Sequence, residues 1–413
     1  MSRRPHGALA ALLAGHVLAR TGNVVAVFAL PFIVLERGGG AVEVGLAAFA
    51  ATAPIVLGGP LGGTLVDRIG ALRCSVVADA VSGITVGLIP LLSATVGLPL
   101  PALLALVFLG GLLDSPGETA RQVVLPQLAA AAGIRLERAV GFLDATTRLS
   151  VMLGGPLAGA LVALLGAEPV LIVTAAAFAL STVVTALLAR SRVARTAVRH
   201  DPEPSVGAWA ELSAGVRFVL REPVLRLIVA TVLVTNLLDA ARSSALLPLY
   251  AEERLGGPAA LGFVVGAFGA AAFAGSLLFG LVAHRVRRRP VYVVGFLLAG
   301  GPSLLAPALG AELPLLIAAS LVSGLAAGSL NPIIGAVQLE RTPAAVRGRV
   351  LGAVSAGCWA GIPLGGLLGG LGASALGVTT VFGLVLALYT LVAVLPLLGR
   401  TWRGMERPDA TAR

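Results

Sequence analysis

The sequence predicts an all-α membrane protein: twelve transmembrane helices in two six-helix, pseudo-symmetric bundles. Three observations predict it. Hydrophobic residues make up 57% of the 413 residues and charged residues only 12%, against about 25% charged in an average soluble domain. The apolar residues gather into runs of about 20, the length that crosses a ~30 Å hydrocarbon core. The arginines gather on alternate loops between those runs. A mean hydropathy of +0.96 excludes a soluble globular protein, a disordered chain and a secreted disulfide scaffold.

In order, the runs are Ala8–Leu35, Val44–Val66, Cys74–Val96, Pro101–Asp114, Gly141–Leu165, Val170–Ala189, Leu225–Tyr250, Leu261–Ala283, Val291–Leu309, Leu315–Gln338, Val350–Leu371 and Val378–Leu398. The fourth is short and is expected to extend past Asp114 and Glu118 toward Arg121. The opening Met-Ser-Arg-Arg before an apolar run has the pattern of a signal peptide. Its removal would leave eleven spans and invert every later loop, so the run is kept as the first helix.

All 30 basic residues are arginine, against 20 acids, for a net charge of +10. With the N-terminus inside, the outer loops hold only Arg37 and Arg254, while Arg20, Arg148 and Arg242 fall within spans. Every other arginine is then on the inner side, including the four of Arg285, Arg287, Arg288 and Arg289. This asymmetry sets both termini in the cytoplasm and reads the positive charge as membrane orientation, with no nucleic acid partner. Cys74 and Cys358 match no metal spacing and read as small buried residues.

One long polar stretch separates the spans into six and six. The expected organisation is an N-terminal bundle over 1–189, a cytoplasmic linker over 190–224, a C-terminal bundle over 225–399 and a cytoplasmic tail over 400–413. Within the linker Trp209, Leu212, Val216 and Val219 recur at helical spacing, which predicts an amphipathic helix on the inner membrane face. The halves repeat: Leu30-Pro31 returns as Leu247-Pro248, Gly63-x4-Arg68 as Gly280-x4-Arg285, and Pro116-x5-Gln122 as Pro332-x5-Gln338. Parallel repeats of this kind carry the substrate site near the membrane midplane.

The loop after the second span reads Gly63-Thr-Leu65-Val-Asp67-Arg68-Ile-Gly70-Ala-Leu-Arg73. It resembles the signature loop between helices 2 and 3 of the major facilitator superfamily, and the resemblance covers essentially the whole chain. Ala120-Arg121-Gln122-x3-Pro126 and Trp209-x-Glu-Leu-x2-Gly215-x-Arg217-Phe218 resemble its branch of multidrug, macrolide and siderophore exporters. Gly155-Pro156-x2-Gly159 resembles the superfamily's antiporter motif. The resemblance implies a secondary transporter that exports a drug, antibiotic, siderophore or similar metabolite by proton antiport with alternating access. It implies no cofactor beyond the proton gradient, a monomer, and a bacterial cell membrane. An importer of a small metabolite on the same fold is the alternative. The second-half copy, Gly280-Leu-Val-Ala-His284-Arg285, has histidine where the aspartate belongs.

The residues carry physical readings of their own. Gly70 permits a tight inner turn, and Asp67 with Arg68 and Arg73 forms either a latch between conformational states or an inert solvated loop. Gly357, Gly361, Gly365 and Gly369 recur every four residues, as do Gly58/Gly62 and Gly59/Gly63; such faces allow close helix approach and are expected to pack helix 2 on helix 11. Pro156 and Pro363 should bend their helices.

Charges at mid-bilayer cost about 2.5–3.5 kcal/mol or more. The deepest here are Arg20, Asp239 and Arg242. Asn23 shares a face with Arg20, and Asn236 with Asp239 and Arg242. The functional reading makes these five a polar cavity floor, with Asp239 as proton acceptor and Arg20 or Arg242 as its charge partner; the alternative is a structural Asp239–Arg242 pair. Asp79 and Asp114 are the secondary carboxylates, and Asp114 and Glu118 are expected to face Arg68 and Arg73. Asp144 and Arg148 read as an ordinary helix pair, and His16 as a packed polar residue. A membrane-embedded enzyme finds no metal or nucleophile cluster among the four histidines, an ATP-driven pump finds no phosphate loop, and a channel finds no filter repeat.

Overall fold

The computed structural model describes residues 4–191, 193, 208–343 and 346–406. Every regular element among them is helical. The first six spans are α1 (Arg4–Glu36), α2 (Ala41–Ile69), α3 (Ala71–Thr95), α4 (Leu100–Leu112) continued by α5 (Asp114–Ala131), α6 (Leu136–Leu165) and α7 (Ala167–Arg190). After α8 (Ala208–Arg221) comes α9 (Pro223–Ala241), extended by the π-helical turns Arg242–Leu246 and Ala251–Leu255 on either side of α10 (Leu247–Tyr250). There follow α11 (Pro258–Val282), α12 (Arg288–Ala308), α13 (Leu313–Arg341), the pair α14 (Arg347–Trp359) and α15 (Ile362–Leu376), α16 (Val378–Leu398) and a 3-10 turn over Thr401–Met405.

Eleven of the resulting rods among the described residues are long and apolar enough to cross a membrane. The twelfth is α2, whose described apolar part runs Ala41–Val56. Side chains such as Leu164 and Leu398, each 80% exposed, face outward in a way that water would penalise and lipid does not. The chain is a multi-pass membrane protein.

It packs as two compact units, one of Met1–Gly39 with Leu46–Ala208, the other of Gly40–Gly45 with Trp209–Arg413. In the first, α1 lies on α6 and α7, and α3 lies on α4, α5 and α7. In the second, α9 lies on α14, α15 and α16, and α12 lies on α13 and α16. The scheme is the same in each. The first span meets the fifth and sixth, and the third meets the fourth and sixth.

Two expectations need correction. The glycine stripe of the eleventh span does not serve helix 2. A Cβ on Gly357 would meet Val229, on Gly361 Leu233, on Gly365 the carbonyl of Leu237, and on Gly369 Ala241. Glycines four apart lie along one line of a helix, and that line is spent on α9. Gly370, off the line, takes Ala41 and Gly45, while Gly58 takes Leu112 and Ser115. Gly59, Gly62 and Gly63 lie outside the residues whose surroundings are described.

The amphipathic segment, α8, packs part of its apolar face on protein and leaves Val216 and Leu220 exposed. Val219, Leu212 and Phe218 pack on Val350, Val354 and Cys358, and Gly215 lets the backbone of Arg349 approach. Finally, Pro363 does more than bend the eleventh span. Helix is interrupted at Ala360–Gly361, between α14 and α15, whereas α6 runs on through Pro156.

Candidate functional site

A cleft in the first unit

The continuity of α4 and α5 decides where the acids of the first unit lie. Together they form one rod, Leu100–Ala131, so Asp114 stands at its middle and not at the inner edge. Its partners are therefore not Arg68 and Arg73. Asn23 of α1 donates to Asp114 Oδ2, and Ser82 Oγ of α3 donates to Oδ1 at 3.0 Å. One turn further on, Glu118 faces Arg20, with Nη1 and Oε2 3.9 Å apart. Within this unit Arg20 thus has its own carboxylate.

The arginine pattern places Arg121 on the inner side, at the end of the fourth span. It is 5% exposed and pairs with Asp79, itself 3% exposed. The single hydroxyl hydrogen of Ser181 of α7 is shared between the other Asp79 oxygen, at 2.6 Å, and the Gly15 carbonyl, at 2.9 Å. A buried carboxylate is costly unless it is paired or hydrogen-bonded, and Arg121 pairs with this one. His16, 2% exposed, sits beside Thr147 Oγ1 at 2.8 Å, a packed polar residue as expected. Arg148 pairs with Asp144 at 2.8 Å on the exposed face of α6.

These groups form a polar nest of about 370 Å³ lined by His16, Arg20, Asp79, Asp114, Glu118 and Arg121. It adjoins a cleft of about 560 Å³, partly open, whose walls are chiefly apolar and include Leu30, Ile33, Val86, Ile89, Leu106 and Leu171. Asn23, Asp114 and Phe178 line both. His16 Nδ1, Arg20 Nε and Arg121 Nε are buried without a hydrogen-bond partner among the described residues, so the nest retains unused hydrogen-bonding capacity. Ser82 and Ser181 escaped the sequence reading because serine in a span is common; the spacing Asp79-x2-Ser82 on one helix face was the available signal.

The polar residues of the second unit

Arg242 Nε stands 3.5 Å from Asp239 Oδ1 and its guanidinium lies 5.4 Å from the Phe268 ring centre. Arg242 is buried, while the Asp239 side chain keeps 41% of its surface. The aspartate lies in the last turn of α9 and the arginine opens a π-helical turn; single turns of that kind often mark functional positions. Asn236 does not join them. It donates to the Cys358 carbonyl at 2.9 Å, beside the interruption of the eleventh span.

The motif loops

Gly70 joins α2 to α3 as a one-residue turn with φ +84°, a conformation glycine adopts without strain. Arg68 and Arg73 are exposed; the Asp67 side chain lies outside the described residues. Gly155 and Gly159 are buried on α6, where neighbouring Gly154 admits Val24 of α1. Pro156 sits between them. Among the described residues no group of histidines, cysteines and acids could hold a metal ion.

Relatives and family

The chain is 30% identical over 388 residues to the multidrug efflux pump Tap of Mycolicibacterium fortuitum, covering 92% of this chain and 93% of that one. It is 32% identical to the pump of the same name from Mycobacterium tuberculosis (strain ATCC 25618 / H37Rv), covering 87% and 85%. Among solved structures it superposes on the nucleoside transporter NupG with a TM-score of 0.70 at 15% identity, over 93% of this chain and 97% of that one. A POT family transporter in complex with a thioalcohol-conjugated peptide gives 0.73 at 14% identity, over 94% and 95%; at such identities the likeness is one of fold. The family model matches twice, over residues 12–261 and 232–412. Two alike six-span units, the glycine turn after the second span and this match agree: the chain belongs to the Major Facilitator Superfamily.

Proposed function

We propose that this protein exports drug-like small molecules from the cytoplasm in exchange for protons, by alternating access of a substrate site built from membrane-buried polar residues. The observation that carries the reading is the cleft of the first unit, apolar on its walls and ending on Asp114 and Asn23. A solute that partitions from the membrane finds apolar contact there and a polar floor against which to be oriented. The relatives named as multidrug efflux pumps support the direction.

In this reading the protein lies in a bacterial cell membrane with both termini in the cytoplasm and acts as a monomer without a cofactor. The proton gradient supplies the energy, and Asp239, Asp114 and Asp79 are the carboxylates available to bind the proton. Asp67, Arg68 and Arg73 act as a conformational latch at the Gly70 turn, and Gly155, Pro156 and Gly159 tune how α6 moves against α1. Replacing Asp67 by asparagine then lowers turnover without affecting insertion.

The test is reconstitution of the full chain in proteoliposomes with an imposed pH gradient and a panel of dyes and antibiotics. Uphill movement of at least one compound that collapses with an uncoupler and ignores ATP is the expected result. Sustained uphill movement with no ion gradient, or none for any compound under a gradient, overturns the reading.

A further inference from the structure

The eleventh span is broken, and its counterpart in the first unit is not. α14 ends at Trp359, α15 begins at Ile362, and Pro363 stands just past the break. Proline has no amide hydrogen and its ring crowds the carbonyl four residues back, here that of Trp359. Yet α6 runs through Pro156 without interruption, so a proline alone does not break a helix in this fold.

The difference lies in what receives the freed backbone. In an unbroken helix the Cys358 carbonyl accepts the amide of Ile362. Here it accepts Nδ2 of Asn236, from α9, at 2.9 Å. On the register that carries Leu30-Pro31 to Leu247-Pro248, Asn236 answers to Ala19, which has no side-chain donor. The break and the side chain that caps it occur together in one half and are absent together from the other.

The two sides of the break are fastened differently. Gly361, Gly365 and Gly369 bring α15 against the backbone of α9 at Leu233, Leu237 and Ala241. α14 meets α9 through side chains, with Gly357 against Val229 and Cys358 packed with Val229 and Val232. α14 is bound more closely to α8, where Gly215 admits the Arg349 carbonyl and Val219 packs on Val350 and Val354. Between α14 and α15, Ala360 (φ −57°, ψ −27°) and Gly361 (φ −81°, ψ −19°) keep near-helical angles, so the helix can close across the break with little rotation. From these contacts we infer that the break is a hinge on which α14 and α8 swing as one body against α15 and α9, and that Asn236 is the positioning residue that pins it. The inference rests on the alternating-access reading and gives that reading a moving part within the second unit.

Cys358 is 6% exposed and, once Cys74 is replaced by alanine, is the only thiol of the chain. The rate at which N-ethylmaleimide labels the full-length Cys74→Ala protein in detergent, followed by mass spectrometry, reads how often α14 leaves Val229 and Val232. Adding Asn236→Leu should speed labelling by about tenfold, because the buried Cys358 carbonyl loses its donor. Adding Pro363→Ala should slow it, because alanine supplies an amide for the Trp359 carbonyl and lets the helix close. With Pro363→Ala already present, Asn236→Leu should change the rate by less than about twofold, since the Ile362 amide then holds the Cys358 carbonyl. In proteoliposomes Asn236→Leu should lower the maximal rate of ethidium export by about fivefold and leave KM unchanged, the mark of a loss in switching and not in binding.

Labelling that Pro363→Ala leaves unchanged or speeds overturns the inference, and that variant places a good helix former at a helical position. So does an acceleration by Asn236→Leu that is equally large with and without Pro363, which would make Asn236 a packing residue only. A raised KM with an unchanged maximal rate in Asn236→Leu would return Asn236 to the substrate path and overturn it as well. The expected labelling pattern with no uphill ethidium movement by the wild type would fail the exporter reading and leave the hinge standing.

Discussion

Arg121 and Asp79 form an ion pair in which the side chains keep only 6% and 4% of their surface, and Ser181 holds the second carboxylate oxygen. The pair ties α5 to α3, and Ser181 ties both to α7 and, through the Gly15 carbonyl, to α1. Four of the helices that shape the cleft thus share one polar knot.

Breaking that knot from one side should be severe. Arg121→Met leaves Asp79 buried and unmatched, and loss of one partner of a buried pair costs about 3–5 kcal/mol. Asp79→Leu should do the same from the other side. The double change Asp79→Leu with Arg121→Met removes both charges and should recover most of the melting temperature, measured in detergent on the full chain. A double variant no more stable than either single one would mean that the knot holds the fold by something other than charge balance.

How much of this was legible beforehand follows from what a single sequence encodes. The spans, the turn at Gly70 and the twofold organisation were legible because apolar length, a glycine between two helices and spaced repeats are local signals. The partners of the charges were not. Arg121 looks like any inner-side arginine until the continuity of α4 and α5 puts it in the membrane beside Asp79. Asp114 and Glu118 were expected to meet Arg68 and Arg73, which are nearest in the order of loops. In three dimensions α1 supplies the partners, Asn23 for Asp114 and Arg20 for Glu118. The glycine stripe of the eleventh span announced a close approach, and only packing could say that α9 makes it.

That stripe offers a clean comparison. A methyl group on Gly365 would collide with the Leu237 carbonyl and Ala240, while one on Gly383 would meet nothing within 4 Å. Gly365→Ala should lower stability by about 1–3 kcal/mol, the usual cost of overpacking. Gly383→Ala should be neutral or raise it by up to roughly 1 kcal/mol through helix propensity. Melting curves that do not separate the two would show that α9 and α15 yield to each other freely.

The chain after the last span also makes specific contacts. Glu406 accepts from the amides of Arg288 at 3.0 Å and Arg289 at 3.3 Å, capping the start of α12. Trp402, 4% exposed, lies 5.8 Å from Tyr292 between ring centres, and Arg341 donates to the Gly404 carbonyl. A carboxylate at a helix N-terminus satisfies free amides and complements the dipole. Removing residues 401–413 should therefore speed hydrogen exchange in the first turn of α12 and lower the melting temperature. Glu406→Gln should reproduce the first effect more weakly. Unchanged exchange on truncation would show the cap to be without consequence.

Asp239 poses the remaining question, because its neighbour is buried and it is not. Arg242 keeps 10% of its side-chain surface and Asp239 41%, so the aspartate can meet a proton or a solute while the arginine is held against Phe268. If Asp239 carries the coupling proton, Asp239→Asn should abolish uphill export and preserve downhill exchange, and Asp239→Glu should keep part of the activity with a shifted pH optimum. Loss of activity alone decides nothing, since Asp239→Asn also leaves Arg242 buried without its counter-charge. Adding Arg242→Gln removes that burden. A double variant that folds well and still fails to export uphill assigns the proton to Asp239. One that regains both stability and proton-driven export makes the pair structural, and leaves Asp79 and Asp114 of the first unit as the next carboxylates to test for the coupling proton.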